Sequence, residues 1–140
     1  MKMKKIIVAL VLVVVLTFGT SVSTFAALPD IPAVEPLWES IGYTSLDTTF
    51  KDTSGNSLGV AGKKSTATSI EGTLTVYKQV GSSWVFVGSD SGSRNTLGSL
   101  ILSVDFVCQS GVTYKSIMTI TGYTGTSAES ETFEVVKTCP

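Results

Sequence analysis

Histidine is absent from this 140-residue chain, and only two cysteines occur, Cys108 and Cys139. Without an imidazole the usual pairing of a nucleophile with a base is missing, and two thiols alone make a poor zinc site. Proline is confined to Pro29, Pro32, Pro36 and the terminal Pro140. The first three are spaced so that neither a helix nor an inner strand runs through them, and residues 27–37 read as an extended lead-in. No sustained helical period appears after residue 27, which leaves strands to build the domain.

Basic charge is also scarce. Lys2, Lys4 and Lys5 precede an apolar run from Ile6 to Leu16, and small and polar residues follow up to Ala26-Ala27. That order predicts a secretory signal peptide over residues 1–26, cut after Ala26, with Thr24 and Ala26 at the small-residue positions. The competing reading is a retained anchor, since the stretch from Ile6 to Ala27 is just long enough to span a bilayer. Cleavage leaves 114 residues, one domain's worth, carrying seven basic and eleven acidic side chains for a formal charge of −4. A mildly acidic surface argues against nucleic acid and against an anionic membrane as partner. A secreted, extracellular location is the expectation.

In an exported chain an even pair of cysteines reads as a disulfide. Cys108 falls in register with Leu100, Leu102, Val104 and Phe106, and Cys139 with Phe133 and Val135, so both thiols are expected on the apolar sides of their strands. Bridging them stabilises a fold by roughly 3 to 4 kcal/mol on the loop-entropy account.

What is present in quantity is alternation. From Ile70 to Gly88 two apolar runs flank a turn at Val80-Gly81-Ser82-Ser83. Folding back there pairs Gln79 with Trp84, Tyr77 with Phe86 and Val76 with Val87. Two unlike faces follow, an aliphatic one (Leu74, Val76, Val85, Val87) and an aromatic one (Tyr77, Trp84, Phe86). A hairpin alone is marginal in water, so a second sheet must cover one face. Four aliphatic side chains in cross-strand register make the better interior, which leaves the aromatic face outward.

The remaining chain supplies the strands. Trp38 to Lys51 reads as a first strand region, closed by a turn cluster at Asp52–Asn56. Leu58–Ala61 reads as a weak or edge strand beside Lys63 and Lys64. Ser89–Gly98 is expected to be the longest loop and Leu100–Cys108 the strongest strand. Tyr114–Tyr123 is another strand, Gly122–Ser130 a second polar loop, and Thr132–Thr138 the last strand. About seven short strands over residues 38–140 predict an all-β fold, an antiparallel β-sandwich.

The segments Gly81-Ser82-Ser83-Trp84, Gly111-Val112-Thr113-Tyr114-Lys115 and Gly122-Tyr123-Thr124-Gly125 through Glu129-Ser130, behind a signal peptide, resemble small secreted single-domain proteins of Gram-positive bacteria. Those belong to families of unknown function. The resemblance implies an immunoglobulin-like or fibronectin type III-like sandwich, with Tyr114 as a tyrosine-corner residue bonded to nearby backbone. No catalytic or ligand residue carries over from it.

Three kinds of chemistry remain to be weighed. A carboxylate pair drawn from Asp47, Asp52, Asp90, Asp105, Glu71 or Glu129 would be needed for a glycosidase or wall hydrolase, and nothing marks a cleft. The stretches around Asp47 and Asp52 and around Asp90 lack the ordered acid spacing of a calcium loop, so neither metal nor other cofactor is expected. Tyr77, Trp84 and Phe86, if uncovered, form an aromatic strip suited to a sugar ring or a protein partner. The expected function is therefore a non-catalytic binding or structural module outside the cell, with an extracellular protein or glycan as partner. A carbohydrate-binding domain is the alternative.

Overall fold

Alternating side chains joined by two-residue turns produce strands along nearly the whole domain. The computed structural model describes residues 38–140. Its strands are β1 (Ile41–Lys51), β2 (Ser54–Lys63), β3 (Ser69–Val80), β4 (Ser83–Arg94), β5 (Gly98–Val107), β6 (Thr113–Thr124) and β7 (Ser127–Thr138), with no helix among the described residues. The expected signal peptide, the competing anchor and the lead-in at 27–37 lie outside the described residues. All pairings are antiparallel, in a three-stranded sheet ordered β1-β2-β5 and a four-stranded sheet ordered β4-β3-β6-β7. The domain is a β-sandwich.

The hairpins β1–β2, β3–β4 and β6–β7 each close through two residues, and the first loop residue is left-handed in all three: Asp52 at φ 54°, Gly81 at 60° and Gly125 at 58°. Such turns match the right-handed twist of the flanking strands. Between the sheets lie Ile70, Leu74, Val76, Met118 and Ile120 from one side and Ala61, Leu100, Leu102 and Val104 from the other. Each of these side chains larger than alanine contributes about 1.5 to 3 kcal/mol by burial. Cys108 and Cys139 are bridged and buried, as their parity predicts. The bridge ties the end of β5 to the end of β7, and so one sheet to the other. The Tyr114 hydroxyl accepts the Gln109 N–H at 3.0 Å and faces the Val107 carbonyl at 3.5 Å, the tyrosine-corner arrangement expected of it.

One part of the core is polar. Thr48 of β1, Ser57 of β2 and Ser116 of β6 are fully buried, and their hydroxyls bond one another at 2.9, 2.8 and 2.6 Å. Three protons and three acceptors satisfy the triangle without water.

Several expectations are corrected. The chain at 58–61 is not an edge: β2 is the central strand of its sheet, and only Asp52-Thr53 turns before it. A Cβ at Gly55 would fall on the Phe106 ring and one at Gly59 on the Met118 sulfur, so these glycines make room for large neighbours from β5 and β6. Ser89–Arg94 is strand, not loop. The inward glycines of β4, Gly88 and Gly92, lie against Val104 and Leu100, where Cβ atoms would come within 3.0 and 3.2 Å. The polar loop expected at 122–130 shrinks to Gly125-Thr126, and the last strand begins at Ser127. There Glu129 has work to do: its carboxylate accepts the N–H groups of Ser40 at 2.8 Å, Glu39 at 3.2 Å and Ile41 at 3.3 Å, and the Ser40 hydroxyl. Burial alone would raise its pKa, but these hydrogen bonds together outweigh that and hold it below the ordinary carboxylate range.

Candidate functional site

The pairings Tyr77 with Phe86 and Gln79 with Trp84 are those the sequence predicts, but Val76 faces Gly88 rather than Val87. Val87 is the extra residue of a β-bulge. The insertion changes the parity of β4. On the turn side the even-numbered Trp84 and Phe86 point outward, and beyond the bulge the odd-numbered Ser89, Ser91 and Ser93 do. One outer face of the four-stranded sheet thereby carries both the rings and a ladder of hydroxyls.

Cross-strand register arranges that face in rows. Phe86, Tyr77, Lys115 and Val136 form one row, and Ser89, Thr75, Ile117 and Glu134 the next. Ser91, Thr73, Thr119 and Thr132 follow, and then Ser93, Glu71, Thr121 and Ser130. At the aromatic end Phe86 is 60% exposed and Trp84 37%, while Tyr77 is half-buried. The Tyr77 and Phe86 rings meet edge to face, with centroids 6.3 Å apart and planes at 80°. Lys115 Nζ sits 4.3 Å from the centroid of the Trp84 ring, covering one of its faces with a cation. The three residues proposed as a strip are thus brought together as a folded apolar corner rather than a flat platform. Val85, expected in the core, is 42% exposed; it lies on the turn side of Gly88, which packs on Val104 near the end of β5.

In the middle of the face the short side chains leave a shallow depression of about 340 Å³, lined by Glu71, Thr73, Ser91, Ser93, Thr119 and Thr121. On the β6–β7 half the hydroxyls are paired across strands, Thr119 with Thr132 and Thr121 with Ser130, both at 3.0 Å. At the far end the Tyr123 hydroxyl donates to Glu71 at 3.1 Å, and that bond, with the nearby negative charge, raises the phenol's pKa. These hydroxyl residues were not singled out from the sequence. The signal that would have found them is the period of two in Thr73-Thr75, Ser89-Ser91-Ser93 and Thr119-Thr121.

The acids weighed for catalysis or calcium do not converge. Asp105 lies on the outer face of the three-stranded sheet, bonded at 2.7 Å to Asn56, and Glu71 on the opposite outer face. Asp90 Oδ2 accepts the Ser103 N–H at 2.9 Å and so caps the free edge of β5. Asp47 pairs with Lys137 at 2.6 Å, and the Lys137 hydrogen bond holds its pKa below the usual carboxylate value. Asp52 occupies the first turn. Among the described residues no cluster of three or more potential metal ligands exists.

The outer face of the three-stranded sheet has apolar side chains as well, Tyr43, Leu58 and Ile101. There the Tyr43 ring lies over Gly62 with its hydroxyl bonded to Ser99, and Asn56 also bonds Ser103 at 2.9 Å. Its polar and aromatic groups are therefore engaged with one another. No family model matches this chain, and none of the curated proteins compared with it does.

Proposed function

We propose that this protein is a secreted, non-catalytic binding module acting at or outside the cell surface, and that the outer face of its four-stranded sheet is the binding surface. The observation that carries the reading is the exposure of Phe86 and Trp84 on the same sheet face as Tyr77, opposite the face of β3 that buries Ile70, Leu74 and Val76. Large rings left at a surface, with a polar surround, are what interaction sites use. The separation of the carboxylates over different faces supports a non-catalytic role. Strand order supports the fibronectin type III-like side of the resemblance: β4 pairs with β3, whereas in constant-type immunoglobulin domains the fourth strand joins the first, second and fifth.

The test is retention of the purified protein on insoluble wall material from the producing cells, beside a Trp84→Ala, Phe86→Ala double variant. Retention that falls at least about tenfold in a variant that still unfolds cooperatively is the expected result, as for removal of interface anchors. Equal retention of the two proteins would refute the assignment of the face. N-terminal sequencing of protein from the medium checks export; the expected first residue is Ala27, and an intact chain found only in membranes overturns secretion.

A further inference from the structure

The hydroxyl-lined depression lies beside Glu71, one row of the sheet away from the aromatic corner, and the chemistry of this trough is narrower than that of a general binding face. The geometry points to a neutral oligosaccharide as its ligand, laid along β3 from the ring of Phe86 across Thr73, Ser91 and Thr119 to Glu71. This rests on the reading of the outer face as the binding surface and adds the ligand class.

Charge is the first argument. No basic side chain lines the depression, and the neighbouring ammonium, Lys115, is held over the Trp84 ring. Glu71 is the one charged group in the lining, so a phosphate-bearing or uronic chain would meet repulsion there with no cation in the depression itself. Hydrogen-bonding capacity is the second. Among the described residues the hydroxyls of Thr73, Ser91 and Ser93 bond no other side chain, while those of β6–β7 are paired across strands and keep free lone pairs. Each hydroxyl both donates and accepts, and a carboxylate accepts only, a set that answers the mixed donors and acceptors of sugar hydroxyls. A protein partner would instead be met by an apolar centre with charged groups depleted, and here the centre is hydroxyl. Dimensions are the third. From Tyr77 to Thr73 is four residues, about 14 Å at roughly 3.4 Å each, so the corner and the trough accommodate successive rings of one chain. Phe86, 60% exposed, offers the apolar contact that a pyranose ring needs at one end.

The experiment is an amide-resolved NMR titration of the purified protein with three soluble neutral probes: cello-oligosaccharides, manno-oligosaccharides and N-acetylchito-oligosaccharides. Polygalacturonate serves as the acidic comparison. The expected result is that at least one neutral probe shifts the amides of Thr73, Ser91 and Thr119 together with Phe86. A Thr73→Arg variant, which fills the trough at an exposed position, should bind that probe at least about tenfold more weakly with its other amide positions unchanged. Shifts confined to the aromatic corner, shifts only with polygalacturonate, or no shift with any neutral probe would each overturn the inference. The broader assignment of the face stands or falls separately, on retention by wall material, since a protein partner would preserve that retention while every sugar titration stayed flat.

Discussion

The β3–β4 ribbon has a root and a tip made from the same alternating pattern, and they meet different fates. At the root, Ile70, Leu74 and Val76 are wholly buried, and Gly72, Gly88 and Gly92 let β5 approach closely. At the tip, beyond the bulge at Val87, the inward-pointing Val85 is 42% exposed and Val80 54%, although their parity matches that of the core. Periodicity specifies which face a side chain takes; whether anything covers that face depends on where the opposite strand ends. β5 stops at Val107, three residues beyond the Val104 that packs on Gly88, whereas β4 runs back from Gly88 five residues to Ser83 and the turn. The tip is therefore free to present side chains that the root must hide.

Substitutions break or sharpen this contrast in a definite order. Leu74→Ala at the root should cost about 2 to 5 kcal/mol in urea unfolding, because the site is closed on every side and collapses poorly. Deleting Val87 comes next: with the extra residue gone, Phe86 still faces Tyr77 and Gly88 still faces Val76 in a regular ladder. The expected cost is about 1 to 3 kcal/mol, with the Trp84 indole still accessible to a collisional fluorescence quencher. A loss beyond that of Leu74→Ala would show that the bulge supports the core rather than merely aiming side chains. Trp84→Ala at the tip should change stability by less than about 1 kcal/mol, as exposed substitutions do, and a loss of several would place the indole in the interior after all.

The smallest effect is on the outward side of the root and is read by titration. Glu71→Gln removes the carboxylate that raises the Tyr123 pKa, so the phenol should ionise at lower pH in an ultraviolet titration. The sign for stability follows from the raised folded value. The Glu71 contact contributes below the unfolded phenol's pKa and fades as pH rises through the folded one. A titration curve unchanged by Glu71→Gln would mean that the 3.1 Å bond is not populated in solution.

Much of this contrast was legible in advance. Tyr77 opposite Phe86, Leu74 and Val76 inward, and the bridge between Cys108 and Cys139 follow from parity and turn position, while the hydroxyl of Tyr114 on nearby backbone follows from the resemblance. The serines and glycines of Ser89–Arg94 did not read as strand, since those residue types are poor strand formers alone. They form one because absent side chains at Gly88 and Gly92 admit Val104 and Leu100 to the backbone. The same reason hid the central position of β2, whose Gly55 and Gly59 receive Phe106 and Met118. The bulge left no mark in the alternation, because Val85 and Val87 look equivalent until the partner strand is placed. Without it the serine ladder has no evident relation to the rings, and so the trough went unseen.

The buried triangle of Thr48, Ser57 and Ser116 has a property that pairwise contacts lack. Each hydroxyl has one proton and each bond uses one, so three bonds close on themselves with no proton left pointing into the hydrocarbon. Replacing one member leaves two hydroxyls sharing a single bond in a dry interior, and a stranded donor there costs about 1 to 3 kcal/mol. Replacing all three with apolar residues of similar shape removes that penalty. Any lineage of this fold that changes the triangle one residue at a time must cross less stable intermediates, so descendants should carry the trio whole or have lost it whole.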